Sequence, residues 1–473
     1  RKKWGFLGHF VSDCWAIRDF HQHHKVTSTP EESAAMALKT GCDLNCGNTY
    51  LRILQAYQKG LVTEEEISRS AERLMTTRIL LGMHSTDNEY DNIPYDKVEC
   101  REHLHTSEEM ARKGIVLLKN NGILPLDKSR LKTIGVIGPN ADSRTALIGN
   151  YHGTATEYIT LLRGILNEAG EETRVLYSVG CHIVKDRCEH LAWRQDRLSE
   201  ARIVAKQSDV VIMNLGLNEF LEGEEGDTGN EYGSGDKQDL QLPLVQRELL
   251  EEVVGAGKPV ILCVSSGSAL DLSFAQEHCA AVLQLWYPGA RGGKSAADIL
   301  FGRCSPSGKL PVTFYKDLDE LPPFEDYSMK NRTYRYMKTQ ALYPFGYGLT
   351  YGKVEVLGIT PEKLDAEARL KVKIKNTGKV KTDEVLQIYI RNLDSAYADE
   401  NYHLCGFKRI CTEPGQEAEL DFCVEEREFT VVDDEGRRFR DGKRFRFYAG
   451  FHQPDKRSCE LSGSGVMQVE LEW

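Results

Sequence analysis

Apolar positions along the chain fall into three successive patterns. From Trp4 to Val11 a mostly apolar run of strand length ends in Ser12-Asp13. Glu31 to Lys39 reads as a helix, and Gly41-Cys42-Asp43-Leu44 as a second short strand. Two helices follow, and Thr63 with Glu66 forms a capping-box pattern at the start of the second. Residues 1–84 therefore hold two β-α units, too few to close a barrel or a sheet alone, and read as the tail of a larger α/β domain. Residues 85–107, rich in Asp, Asn, Glu and His, read as a linker.

The second pattern covers residues 108–315. Short continuous apolar runs at Thr133–Ile137, Val210–Asn214, Val260–Val264 and Ala281–Leu285 alternate with helical patterns such as Leu244–Val254. Strands apolar on both faces predict a parallel open sheet covered by helices, an α/β sandwich. Beyond a linker at 316–345, the period over residues 346–473 is two: Arg369–Asn376, Glu384–Arg391, Glu419–Val424 and Arg444–Phe451 alternate, with turn residues such as Asn376-Thr377-Gly378 between them. Short alternating strands at this spacing predict a β-sandwich.

Length and composition agree with several cores. The chain has 473 residues, of which 41% are hydrophobic, enough for about three domains. Sixty Lys and Arg against 71 Asp and Glu give a net charge of −11, so there is no basic footprint for nucleic acid or an anionic membrane. No apolar run approaches the roughly 20 residues that span a bilayer. The 13 cysteines are odd in number and scattered. Cys263 and Cys423 lie in apolar strand-like runs and read as buried free thiols, while Cys42 and Cys46 lack a second pair at zinc spacing. A reducing compartment, the cytoplasm, is the expectation. The chain starts at Arg1 within what reads as the middle of a domain, so its true N-terminus is expected elsewhere.

Two groups of carboxylates could carry chemistry. Asp13 follows a strand, where β/α barrels place catalytic groups; it could equally cap the next helix. Leu221-Glu222-Gly223-Glu224-Glu225-Gly226-Asp227 packs four acids into six positions after a buried strand. Crowded carboxylates raise one another's pKa, which suits a general acid, and the same run also fits a solvated acidic loop. His21, His23 and His24 read as polar loop residues rather than a metal site. Ile134-Gly135-Val136-Ile137-Gly138 lacks the G-x-G-x-x-G spacing of a dinucleotide cradle.

Ordered matches along the chain then resemble one family. Phe10-Val11-Ser12-Asp13-Cys14 resembles the nucleophile strand of family 3 glycoside hydrolases. Gly114 to Asn120 with Leu124-Pro125-Leu126 resembles the start of that family's α/β sandwich domain. Gly149-Asn150-Tyr151, Leu240 to Pro243 with Gln246, Trp286-Tyr287-Pro288-Gly289 and Pro306 to Pro311 continue the likeness. Tyr334-Arg335-Tyr336 and Tyr343 to Leu349 resemble the lead-in to a fibronectin type III-like domain. Ser12-Asp13-Cys14, His23-His24 and Gly41 to Gly47 are similar to the β-xylosidase branch, whereas typical β-glucosidases carry Trp directly after the nucleophile.

The resemblance implies an α/β fold: the C-terminal part of a TIM-type (β/α)8 barrel, an α/β sandwich and a fibronectin type III-like β-sandwich. It implies a retaining exo-β-glycosidase acting on oligosaccharides or β-glycosides, with Asp13 as nucleophile and Glu224 as acid/base, Glu225 and Glu222 being the alternatives. The choice rests on a family E-x-E pattern. The sequence departs nearby, with Asp236-Lys237 in place of Asp-Arg and a Gly-rich insertion at Thr228 to Gly235. No cofactor and no metal are implied. The groups that grip the sugar belong to the preceding part of the barrel, so a second chain or cleaved segment is expected to supply them; a homo-oligomer is compatible. The rival readings are a non-catalytic carbohydrate-binding or scaffold fragment and a family 3 phosphorylase.

Overall fold

A computed structural model describes residues 1, 3–185, 193, 195–222 and 237–473. Two compact units divide at Val98 and Glu99.

The first unit, Arg1–Val98, is built on helices α1 (Ala16–Gln22), α2 (Pro30–Thr40), α3 (Ile53–Gln58) and α4 (Glu64–Leu80). The N-termini of α2 and α4 follow from local sequence. Thr29 and Thr63 each accept from the backbone of the Glu three residues on, Glu32 and Glu66, whose side chains reach back, and Pro30 opens α2. The two expected strands shrink to a single parallel bridge, Val11 to Leu44. Parallel pairing is the weaker kind, and among the described residues of this unit these two segments find no further strand to pair with. A small core of Ala35, Leu38, Ala56 and Val62 holds the helices, while Trp4, Leu7 and Leu80 stay more than four-fifths exposed.

The second unit, Glu99–Trp473, opens with α5 (Arg101–Gly114), which begins inside the stretch read as linker. A six-stranded sheet follows: β1 (Val116–Asn120), β2 (Thr133–Ile137), β3 (Arg174–Ser178), β4 (Val210–Gly216), β5 (Val260–Ser265) and β6 (Ala281–Gln284). Their order is β1-β6-β5-β4-β2-β3, parallel except for β1 against β6. Between them run α6 (Leu161–Ala169), α7 (Asp196–Lys206), α8 (Leu244–Gly255) and α9 (Ser273–His278), and α10 (Gly292–Leu300) follows β6. Both faces are buried: Val211, Met213 and Leu215 meet Leu249, Leu250 and Val253 on one side, while Ile134, Ile212 and Ile261 meet Ile165 and Ile299 on the other. Helices α6 and α10 approach so closely that a Cβ on Gly164 would lie 2.1 Å from the Gly293 carbonyl oxygen, so only glycine fits there.

After α11 (Thr333–Tyr336), strands β7 (Val354–Lys363), β8 (Ala368–Asn376), β9 (Thr382–Asn392), β10 (His403–Thr412), β11 (Glu417–Val424), β12 (Thr430–Val432), β13 (Arg438–Arg440), β14 (Arg444–Gly450) and β15 (Met467–Glu472) form the sandwich, with α12 (Lys456–Ser462) before the last. Its antiparallel sheets run β10-β9-β14-β15 and β11-β8-β7. Alternate residues of β8, Leu370, Val372 and Ile374, face Ile388, Ile390 and Phe447. A buried pair, Lys309 Nζ to Glu384 at 2.7 Å, joins this sandwich to the α/β layer.

Candidate active site

Two clusters of candidate functional side chains stand out, one in each unit. In the first, the bridge from Val11 to Leu44 leaves Asp13 just past a strand-like end. Ser12 donates its N–H to the Leu44 carbonyl at 2.9 Å, and its hydroxyl accepts from the Cys46 N–H at 3.0 Å and Asn45 Nδ2 at 3.2 Å. Trp15 donates its N–H to the Cys46 carbonyl at 2.9 Å. A disulfide joins Cys14 to Cys46. Asp13 is thus fixed at its backbone while its side chain is exposed, and α1 carries no side-chain cap. Trp15 itself sits at φ 65°, a conformation costly for a bulky residue, held by its bond to Cys46 and by Arg18 stacked 4.6 Å over its ring.

Beneath this segment lies Asp43, almost wholly buried. One carboxylate oxygen pairs with Arg1 and accepts the Phe10 N–H at 2.9 Å; the other accepts from Ser70 at 3.0 Å and Arg73 at 3.1 Å. In sequence Asp43 reads only as a strand residue, and nothing local marks Cys14 as the partner of Cys46; the pairing follows because two parallel segments ending at one edge bring the residues just beyond them within reach. Cys263 is buried as expected, whereas Cys423 is exposed, because β11 turns that position outward. His21 Nδ1 lies 2.9 Å from the Ser33 hydroxyl, within hydrogen-bond reach, whereas His23 Nε2 lies 3.7 Å from Asp19.

The second cluster lies at the C-terminal ends of β4, β5 and β6, where open α/β sheets build their sites. Beyond β4, Asn218 accepts the N–H groups of Phe220 at 3.0 Å and Leu221 at 3.2 Å, turning the chain sharply, and Leu221 is buried beneath. Glu222 follows. Its carboxylate accepts from the Gly267 N–H at 2.6 Å and the Ser268 N–H at 3.1 Å, and from the hydroxyls of Ser268 and Tyr287. Burial first, then Glu222, pushes the Tyr287 phenol well above its ordinary range. Next to them, His152 Nδ1 lies 2.8 Å from the Gly153 carbonyl and Nε2 lies 2.6 Å from Glu219; the Gly153 contact does most to raise its pKa, with Glu219 adding to it. Tyr151 and Phe220 leave aromatic surface open here. Glu224 and Glu225 lie outside the described residues.

The structure thus holds an exposed carboxylate beyond a β-α segment in one unit and, in the other, an acidic turn over a parallel sheet followed by a β-sandwich. Comparisons with known proteins give this architecture a family. Residues 1–77 match the glycosyl hydrolase family 3 N-terminal domain, 115–351 its C-terminal domain, and 384–453 a fibronectin type III-like domain. The chain belongs to glycosyl hydrolase family 3. It is 30% identical to a xylan 1,4-β-xylosidase of Xylanibacter ruminicola, over 94% of this chain and 68% of that protein. It is 36% identical to β-D-xylosidase 1 of Arabidopsis thaliana, over 74% and 45%. A periplasmic β-glucosidase of Salmonella typhimurium is 29% identical, over 90% and 59%. Among solved structures, a GH3 exo-β-xylosidase in complex with a xylobiose aziridine probe superposes with TM-score 0.85 at 25% identity, covering 100% of this chain and 62% of that one. The chain thus spans between about half and two thirds of the length of these relatives.

Proposed function

We propose that the chain carries the catalytic carboxylates of a retaining exo-β-D-glycosidase, a β-xylosidase, β-glucosidase or both, that releases non-reducing-end sugars from plant-derived oligosaccharides or glycosides. The observation that supports this most is the exposed Asp13 on a backbone tied down by Ser12, Trp15 and the Cys14–Cys46 bridge. Such a group can attack without first reorganising. Asp13 attacks the anomeric carbon and forms a glycosyl ester as the leaving oxygen takes the proton of Glu224. Glu224, now a carboxylate, draws a proton from water, which cleaves the ester with a second inversion. This two-step route needs carboxyls about 5 Å apart. The groups that grip the sugar are assigned to the remaining barrel, supplied as a further segment or chain.

A 2-fluoro sugar inactivator is expected to label Asp13, and Asp13→Asn to remove turnover without loss of fold. Labelling of another carboxylate rules the nucleophile out. Glu224→Ala is expected to keep far more activity on dinitrophenyl glycosides than on disaccharides, with rescue by azide. The same signature in Glu225→Ala instead moves the acid/base by one residue.

A further inference from the structure

Glu222 and Lys237 flank residues 223–236, and both are pinned to one short loop. Glu222 accepts the N–H groups of Gly267 and Ser268, whereas Lys237 Nζ donates to the Ala269 carbonyl at 2.9 Å. Asp271 adds a third tie, its N–H reaching the Leu240 carbonyl at 2.6 Å. The loop 267–271 therefore receives the chain where it leaves for the acidic segment and where it returns. Tyr287, from the loop after β6, completes the clasp from the other side through its hydroxyl on Glu222. Its ring packs so tightly on Gly267 that a Cβ there would lie 3.2 Å from it, and one on Gly149 3.3 Å.

The chemistry of this clasp differs from that of a proton donor. Among the described residues the Glu222 carboxylate accepts four hydrogen bonds, shared over both of its oxygens. The Gly267 and Ser268 N–H groups can only donate, so a protonated carboxyl could turn its O–H only to the Ser268 or Tyr287 hydroxyl and would have to reverse one of these bonds. The backbone N–H groups cannot rotate away, so the carboxylate is bound as an anion is bound in a nest of amides.

We propose that Glu222 is a positioning residue and not the acid/base: clasped by Gly267, Ser268 and Tyr287, with Lys237 pinning the return, it sets where the segment bearing Glu224 begins. This rests on the glycosidase reading above, and it assigns Glu222 a role opposite to that of a proton donor. Glu222→Gln replaces one acceptor oxygen with a donor facing donors. Loosening the acid/base by about 1 Å costs on the order of 100-fold in rate. Tyr287→Phe removes one hydroxyl donated to a charged group and leaves Glu222 in place, a loss of about 10-fold.

The experiment uses the active enzyme with its barrel complete and compares aryl β-xylosides of good and poor leaving group. Glu222→Gln and Tyr287→Phe are expected to lose rate mainly on the poor leaving group and to shift the alkaline limb of the kcat/KM profile. Neither should lower activity further once Glu224→Ala is present, because both act through that residue. Should Glu222→Gln fail to fold, Tyr287→Phe and Ser268→Ala decide by the same criteria. Losses that multiply in full with that of Glu224→Ala, or wild-type profiles in these variants, overturn the proposal. Azide rescue in Glu222→Ala with none in Glu224→Ala makes Glu222 the acid/base and overturns it too. If Glu224→Ala shows no leaving-group dependence and Glu222→Ala no rescue, the acid/base assignment fails, a result separate from failure of the clasp.

Discussion

Asp43→Asn is the sharpest test of how the segment bearing Asp13 is held. The Asp43 side chain is 1% exposed, and its partners Arg1 and Arg73 are 22% and 28% exposed. Asn keeps the shape and one acceptor but turns an amide NH2 toward a guanidinium. Breaking a buried pair from one side costs about 3–5 kcal/mol. The lower end applies, because both guanidiniums reach water and can relax. A loss of about 3 kcal/mol raises the population of the opened segment by about 100-fold. Amide exchange at Phe10 and Ser12, whose N–H groups bond Asp43 and Leu44, is the direct assay. Both should exchange about 100-fold faster, the urea midpoint should fall, and kcat should drop although Asp13 is intact. Exchange at Phe10 and Ser12 unchanged, with stability within about 0.5 kcal/mol of wild type, would refute the claim that Asp43 holds this strand.

Non-reducing peptide mapping should find Cys14 linked to Cys46, with Cys42 alkylatable; a free Cys14 in active protein contradicts the pairing. Buried His452 has its pKa lowered, first by desolvation and also by Lys309, while its Nδ1 contact with the Gln453 carbonyl and the Asp455 charge oppose this; Ser462 and Ser464 face its Nε2. The unfolded chain then binds the proton first, so stability is intact above about pH 6.5 and falls as the pH drops below it, by up to about 1.4 kcal/mol per unit. His452→Gln should flatten that part of the urea-midpoint profile, and an unchanged slope there refutes the assignment.

Much of the architecture was legible without coordinates. Runs such as Val210–Gly216 and Val260–Ser265 are apolar at nearly every position because both faces of a parallel sheet are covered, and that pattern survives in one dimension. The period of two in β8 is equally local, since one face meets the opposing sheet and the other water. The capping boxes at Thr29 and Thr63 need only residues within one turn. Edge strands were not legible: β3, Arg174–Ser178, is half exposed and carries neither signal, and β1 runs antiparallel to β6, a direction no local spacing encodes. The site divides in the same way. Asp13 and the acidic run at Glu222 stood out as carboxylates placed after strands, where β-α order puts reactive groups. Their environments depend on contacts between residues distant in the chain. Cys14 meets Cys46 across 32 positions, Asp43 meets Phe10 and Arg73, and Glu222 meets Ser268 and Tyr287 across 46 and 65. Periodicity records which face of an element is buried; it does not record which loops a sheet's strand order gathers at one edge, and that gathering decided which carboxylate stands exposed and which is tied down.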